Sequence, residues 1–278
     1  MTTHILLIDC PDEKGLVYRI TGELSRRNFN IISNHEFVDA SAEHFFMRTA
    51  FAGDASPDPV VDELRKTLPA AANIRLAATG QRPIVILATR EPHCLGDLLL
   101  RHAYHELPAR ICAVVSNHET LAPLVQKFEI PFHFISHEGL EREQHEAAIL
   151  EAVAPYTPDY LVLAKYMRVL SPQFVSCYPN RIINIHHSFL PAFMGASPYR
   201  QAFERGVKII GATAHFVTDD LDTGPILVQN VQPVDHSYSA ADMAQAGHDI
   251  EKIVLSKALK LVLEERVFLH HHRTVIFE

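Results

Sequence analysis

Residues 84–115 read IVILATREPHCLGDLLLRHAYHELPARICAVV. Two unbroken apolar runs, Ile84-Val85-Ile86-Leu87-Ala88 and Ile111-Cys112-Ala113-Val114-Val115, flank a segment with helical spacing over Leu95 to Leu107. A strand apolar at every position is one buried on both faces, and two such strands joined by a helix make a parallel crossover. The rhythm continues downstream. A helix near Leu121 to Phe128 precedes a strand over Phe132 to Ile135, and Tyr160-Leu161-Val162-Leu163 and Ile182-Ile183-Asn184-Ile185 extend the series. Ile209 to Val217 and Ile226 to Val231 read as a closing hairpin around Leu221-Asp222-Thr223-Gly224. Ile250, Val254, Ala258 and Leu261 mark one stripe of a long final helix. The fold class expected is α/β, with a mostly parallel, Rossmann-like sheet covered on both faces.

Upstream of Gly80-Gln81-Arg82-Pro83 the pattern is different. His4 to Asp9 is a short apolar run, and Leu16, Val17, Ile20 and Leu24 recur at helical spacing. Phe45, Met47, Thr49 and Phe51 alternate as a strand does, Val60, Val61, Leu64 and Leu68 are helical, and Ile74 to Ala78 closes the unit. The order βαββαβ is ferredoxin-like. The boundary expected is therefore 1–82 for a small N-terminal domain and 83–278 for the larger one.

Composition removes several function classes. The chain has 278 residues and a net charge of −8, without a basic stripe, which argues against nucleic acid as a partner. No apolar run reaches the ~18 residues of a membrane span. The start, MTTHILLIDCPDEKG, has no basic region before its acidic residues, so no membrane association is expected and the location expected is cytoplasmic. Cys10, Cys94, Cys112 and Cys177 form no C-x-x-C pair, as suits free thiols in a reducing compartment. His270-His271-His272 invites a metal reading, but neighbours on a strand face opposite sides and do not converge. A partly exposed strand, and no metal site, is the expectation there.

Chemistry concentrates at Asn184-Ile185-His186-His187-Ser188-Phe189-Leu190-Pro191. Asn184 and His186 share one face at the end of a parallel strand, where open α/β sheets bind ligands. An amide that donates to an oxyanion, beside an imidazole that moves a proton, is what acyl transfer needs. From the residues alone, a hydrogen-bonded pair at a strand end is the first reading and catalysis the second. Asp222 lies in a turn set by Gly224 and Pro225, placed to orient His186 and hold a water, whereas Asp219 and Asp220 read as a solvated turn.

N-I-H-x-S-x-L-P followed by H-x-V-x-x-x-L-D-x-G-P resembles the folate-dependent formyltransferases. The resemblance implies catalytic roles for Asn184, His186 and Asp222. It also implies a folate pocket lined by Met167, Arg168, Val169 and Leu170, with His215, Thr218 and Asp219 on the other side. The backbone of Arg168 and Leu170 would meet the pterin ring. The first turn, Ala88-Thr89-Arg90-Glu91-Pro92-His93-Cys94-Leu95-Gly96-Asp97, makes a poor phosphate cradle, because Glu91 adds negative charge and Pro92 removes a donor. Water is then the acceptor expected, with a small amine as the alternative. Cys94, at a helix start, is a candidate thiol nucleophile that this chemistry does not need.

Asp9-Cys10-Pro11-Asp12-Glu13-Lys14-Gly15-Leu16-Val17 with Gly22 and Asn28-Phe29-Asn30-Ile31 is similar to an ACT domain. Such a module either binds an amino-acid effector, here at Asp9, Asp12, Gly15 and Asn30, or serves only to pair subunits; both readings stand. The layout, an ACT domain before a formyltransferase-like domain, resembles the formyltetrahydrofolate deformylase family. Further matching segments are His93 to Leu99, Asn184 to Tyr199 and Asp249-Ile250-Glu251-Lys252. The family implies 10-formyltetrahydrofolate as substrate, no cofactor beyond it, a role in one-carbon metabolism and purine biosynthesis, and a homodimer or homotetramer. The chain departs from the family pattern at Glu91-Pro92, where a Ser-Lys is common, and at Ser197, where a Lys is common. Both bear on the handling of the anionic folate tail or formate.

Overall fold

Strand β1 (Thr2–Pro11) explains its own apolar run: Leu6, Ile8 and Cys10 face one side of a sheet and Leu7 the other, and all four are buried. It belongs to a computed structural model that describes residues 2–77, 80–191 and 198–278. Helix α1 (Leu16–Arg26), strands β2 (Asn30–Asp39) and β3 (His44–Gly53), helix α2 (Asp58–Thr67) and strand β4 (Asn73–Ala77) complete the ferredoxin-like order. Ala78, expected to end β4, lies outside the described residues. The sheet order is β2-β3-β1-β4, with antiparallel pairing throughout. Leu16, Ile20 and Leu24 of α1 and Val60 and Leu64 of α2 pack on Leu6, Ile8, Met47 and Phe51.

The expected division at residue 82 is amended at the C-terminus. The chain splits into two compact units, and residues 265–268 and 275–278 belong with the first. Strands β12 (Val267–His270) and β13 (Arg273–Ile276) pair as a hairpin, and Phe268 and Phe277 bury against Leu7 and Phe46 on the sheet face away from α1 and α2. The triple histidine is therefore not one strand. His270 ends β12, and His271, with a left-handed φ of 54°, forms the turn with His272.

The second unit alternates as its apolar runs require. Its first part comprises β5 (Arg82–Ala88), α3 (His93–Ala103), β6 (Ala109–Ser116), α4 (Ala122–Gln126) and β7 (Phe132–Phe134). After these come α5 (Arg142–Val153), β8 (Tyr160–Ala164), α6 (Pro172–Cys177) and β9 (Ile182–His186). The series ends with α7 (Pro198–Arg205), β10 (Ile209–Phe216), β11 (Ile226–Pro233) and α8 (Ala240–Leu263). Helix α3 stops before the expected Leu107, because His105 adopts a left-handed φ of 59° and the Glu106 N–H closes back on Arg101 O at 2.8 Å. The sheet order is β11-β10-β9-β8-β5-β6-β7: the five strands β5 to β9 run parallel, while β10 and β11 close the edge antiparallel. From β5 the chain moves to β6 and β7, then returns to β8 on the other side, so a topological switch point lies between β5 and β8. Ligands bind at the carboxyl ends of strands at such a point. Among the described residues, no helix is long and apolar enough to cross a membrane.

Candidate active site

Asn184 and His186 leave the end of β9 on one face, as period-two spacing requires. Strand β10 runs antiparallel beside it and sets His215 opposite Asn184 and Thr213 opposite His186. A register shift between Ala214 and His215 re-aims the His215 ring. His215 Nδ1 donates to Phe216 O at 2.8 Å, which leaves Nε2 to accept from Asn184 Nδ2 at 3.3 Å. The amide of Asn184 is thereby oriented by a side chain buried to 2% exposure.

Asp222 reaches the same point from the β10–β11 connection. Gly224 makes this path possible, since a Cβ there would stand 1.7 Å from Phe216 O. Phe216 N–H donates to Pro225 O at 3.0 Å and fastens the base of the loop, while Thr218 and Thr223 each donate to Asp220 O at 3.2 Å. Asp222 itself takes a left-handed φ of 56°, a conformation disfavoured for most side chains and tolerated best by Asn and Asp. Its Oδ2 lies 3.3 Å from His186 Nδ1 and its Oδ1 3.6 Å from His215 Nε2. Burial by itself would raise the Asp222 pKa. The hydrogen bond of His186, with the nearby imidazole of His215, outweighs it and holds the carboxyl well below the usual carboxylate range.

His186 faces Asp222 through Nδ1, and its Nε2 is buried without a hydrogen-bond partner among the described residues. The His187 ring stacks on it at 4.7 Å, with planes 21° apart. A buried polar atom left open is costly unless something else fills its valence. His186 as a residue lines a cavity of about 390 Å³, within the size range of small-molecule sites, while its Nε2 is itself buried. Asn184, His186, His215 and Asp222 line it, with Met167, Arg168, Val169 and Leu170 on one flank and Thr218 and Asp219 on the other. Every expected catalytic and folate-lining residue thus borders one cavity. His215 differs from the expectation in one respect: with Nδ1 on Phe216 O and Nε2 on Asn184, it positions the Asn184 amide rather than offering a free valence. Asp219 and Asp220 are exposed, as a solvated turn should be.

The effector candidates lie in the first unit. Asp9 accepts from Asn73 Nδ2 at 3.0 Å and faces His44 Nε2 at 3.2 Å; Gly15 opens α1 with a left-handed φ of 88°; Asp12 N–H bonds Glu43 O; Asn30 begins β2. Ser197 lies outside the described residues.

Behind the cavity wall stands a cluster that the motifs alone do not reveal. Glu251, fully buried in the middle of α8, accepts from Tyr199 Oη at 2.5 Å and faces His93 Nε2 at 2.7 Å and Lys165 Nζ at 3.2 Å. Burial opposes its ionisation, but His93, Lys165 and Tyr199 outweigh burial and hold the carboxyl at about 2. Gly247 leaves room for the Tyr199 ring, which a Cβ would meet at 2.1 Å. The signals in the sequence are that His93, Tyr199 and Glu251 fall in the family-matching segments and that charged residues sit inside apolar context, Lys165 after Val162-Leu163-Ala164 and Glu251 between Ile250 and Val254.

Ligand atoms of Glu91, His93 and His248, and of His93, Cys94 and Glu251, come within 4.8 Å of one another. The His93 and His248 rings stack at 4.0 Å with planes 12° apart, so their in-plane lone pairs run side by side and do not aim at one ion. In the second group Glu251 is already engaged by Lys165 and Tyr199, and burial together with Glu251 pushes the Cys94 thiol far up, away from the thiolate that a ligand or nucleophile must be.

Residues 82–259 match the model of a formyl transferase family, and residues 4–69 that of the ACT domain. The chain is 54% identical over 272 residues to the formyltetrahydrofolate deformylase of Haemophilus influenzae, covering 98% of each. The crystal structure of a formyltetrahydrofolate deformylase from Pseudomonas syringae superposes with a TM-score of 0.94 at 38% identity, covering 99% of this chain and 94% of that one. A glycinamide ribonucleotide transformylase from Symbiobacterium toebii is similar over 74% of this chain and 98% of its own, at 29% identity and a TM-score of 0.69.

Proposed function

Because the chain belongs to the formyltetrahydrofolate deformylase family, we propose that Asn184, His186 and Asp222 hydrolyse 10-formyltetrahydrofolate to tetrahydrofolate and formate, with water as the formyl acceptor. The observation that carries the assignment of residues is the convergence of Asn184, His186 and Asp222 on one cavity, with His186 Nδ1 turned to an ionised Asp222 at 3.3 Å.

The folate ring binds against the Met167–Leu170 segment, and its formyl group sits between Asn184 and His186. A water held by Asp222 and His186 attacks the formyl carbon and gives one proton to His186 as it does so. A C–O bond forms, and the carbonyl oxygen takes up negative charge, which Asn184 Nδ2 and protonated His186 stabilise. The C–N bond to folate then breaks, and His186, directly or through a water, delivers a proton to the leaving nitrogen. These steps use only protein side chains and water, with no cofactor beyond the substrate. The free thiols of Cys10, Cys94, Cys112 and Cys177 suit a cytoplasmic enzyme.

The test is to mix purified protein with 10-formyltetrahydrofolate in ¹⁸O-water and no amine. Equal release of tetrahydrofolate and formate, with label in the formate, is the expected result. Tetrahydrofolate that appears only after an amine is added would make the chain a transferase.

A further inference from the structure

The deformylase reading leaves a question of acceptor choice, since a solved transformylase shares this scaffold. Resting on that reading, we propose that Lys165 sets the acceptor: its buried ammonium walls the cavity that His186 lines and bars amines from the formyl carbon, leaving water to take the formyl group.

Lys165 follows the last residue of β8, beside the switch point. Its φ of 60° is left-handed, a region that favours glycine, and yet the position carries a long charged side chain. That side chain is only 4% exposed and lies 3.2 Å from Glu251 Oε2 and 3.8 Å from Glu91 Oε2. Of the cluster, Lys165 borders the cavity with Asn184, His186 and Asp222, whereas Glu251, Glu91 and His93 do not. The pocket therefore meets this ion cluster through the lysine, and the carboxylates are not among its lining residues. Tyr199 and His93 fix the Glu251 carboxylate, so the ammonium is tethered in place.

An amine at neutral pH arrives mostly as an ammonium ion, and a fixed cation in a confined, poorly screened site repels it. Water carries no charge and passes. Formyl transfer would require the amine nitrogen to lose a proton, bond to the formyl carbon and release the folate nitrogen, which takes up a proton. The ammonium of Lys165 blocks the first approach.

The experiment supplies 10-formyltetrahydrofolate with glycinamide and separates formate from N-formylglycinamide. Wild type is expected to give formate alone. Lys165→Gly combined with Glu251→Gln removes the ammonium with its neutralising carboxylate and suits the left-handed backbone. It is expected to raise the N-formylglycinamide share at least about tenfold. Lys165→Met, which keeps bulk without charge, is expected to shift the share in the same direction, and Lys165→Arg to stay hydrolytic. A folded variant lacking the ammonium that still yields formate alone overturns the proposal. So does one that binds folate without turning it over, since Lys165 would then act in hydrolysis itself. Failure of both Lys165→Met and the double variant to fold also overturns it, as the lysine would then be structural. A wild type that releases no tetrahydrofolate without glycinamide would instead sink the deformylase reading.

Discussion

Two groups of ionisable side chains occupy the second unit, and they are completed to different degrees. Around Glu251, one carboxylate meets a tyrosine hydroxyl, an imidazole and an ammonium. Around His186, one imidazole nitrogen meets Asp222 and the other meets nothing among the described residues. Burying charge without partners is expensive, so the Glu251 carboxylate is closed in by its partners, although His93 Nδ1 and Glu91 Oε2 at the rim of the group make no hydrogen bond among the described residues. The second leaves a buried valence open on a residue that lines the cavity. The contrast separates a part that holds shape from a part that reacts.

Removing one member of the closed group should cost the most. Glu251→Leu strands the Lys165 ammonium in the interior, and a loss of roughly 3–5 kcal/mol is expected in urea denaturation. A change below about 1 kcal/mol would mean that the cluster is solvated and the contrast false. In the open group the cost should fall on rate instead. Asn184→Ala removes one oxyanion donor from a partly exposed position, so kcat should drop ~10²–10³-fold while the unfolding midpoint barely moves. A large loss of stability with normal turnover would reverse the roles of the two groups.

Acid should expose the closed group through its titration. Asp222 and Glu251 both have folded pKa values below their unfolded ones, so their stabilisation is complete above about pH 4.5 and is lost as pH falls through the folded values. For Glu251, held at about 2, that contribution is roughly 3 kcal/mol at neutral pH. The melting temperature should stay level from pH 7 to about 5 and fall steeply below about 4, with a shallower fall in Glu251→Gln. Equal slopes in both proteins would count against an ionised Glu251.

The smallest effect is expected at the loop that carries Asp222. Gly224→Ala drives a methyl group into Phe216 O, and the shift required should cost about 1–3 kcal/mol in stability. It should also lower kcat by moving Asp222 off His186. Retention of full activity would show that the loop relaxes without disturbing the site.

The parts of this contrast that sequence makes visible are the local ones. The β-branched runs at 84–88 and 111–115 need both faces buried, so the parallel strands are plain, and period two places Asn184 with His186. Asp222 is marked by the Gly224-Pro225 turn. Helix α5 was not legible, because its apolar residues do not gather on one stripe. The return of Phe268 and Phe277 to Leu7 and Phe46 was hidden for another reason: hairpin and sheet are joined only by the fold. The Glu251 cluster has the same cause, since His93 and Glu251 stand 158 residues apart. Period and spacing report on neighbours along the chain, and a buried ion cluster is assembled from residues remote in it.

The most direct test is single-turnover formate release by His186→Ala, with folate affinity measured alongside. The predicted result is a fall of at least ~10²–10³ in rate with folate binding preserved. Near-wild-type release by a folded His186→Ala protein would contradict the assignment of the open imidazole as the group that carries hydrolysis.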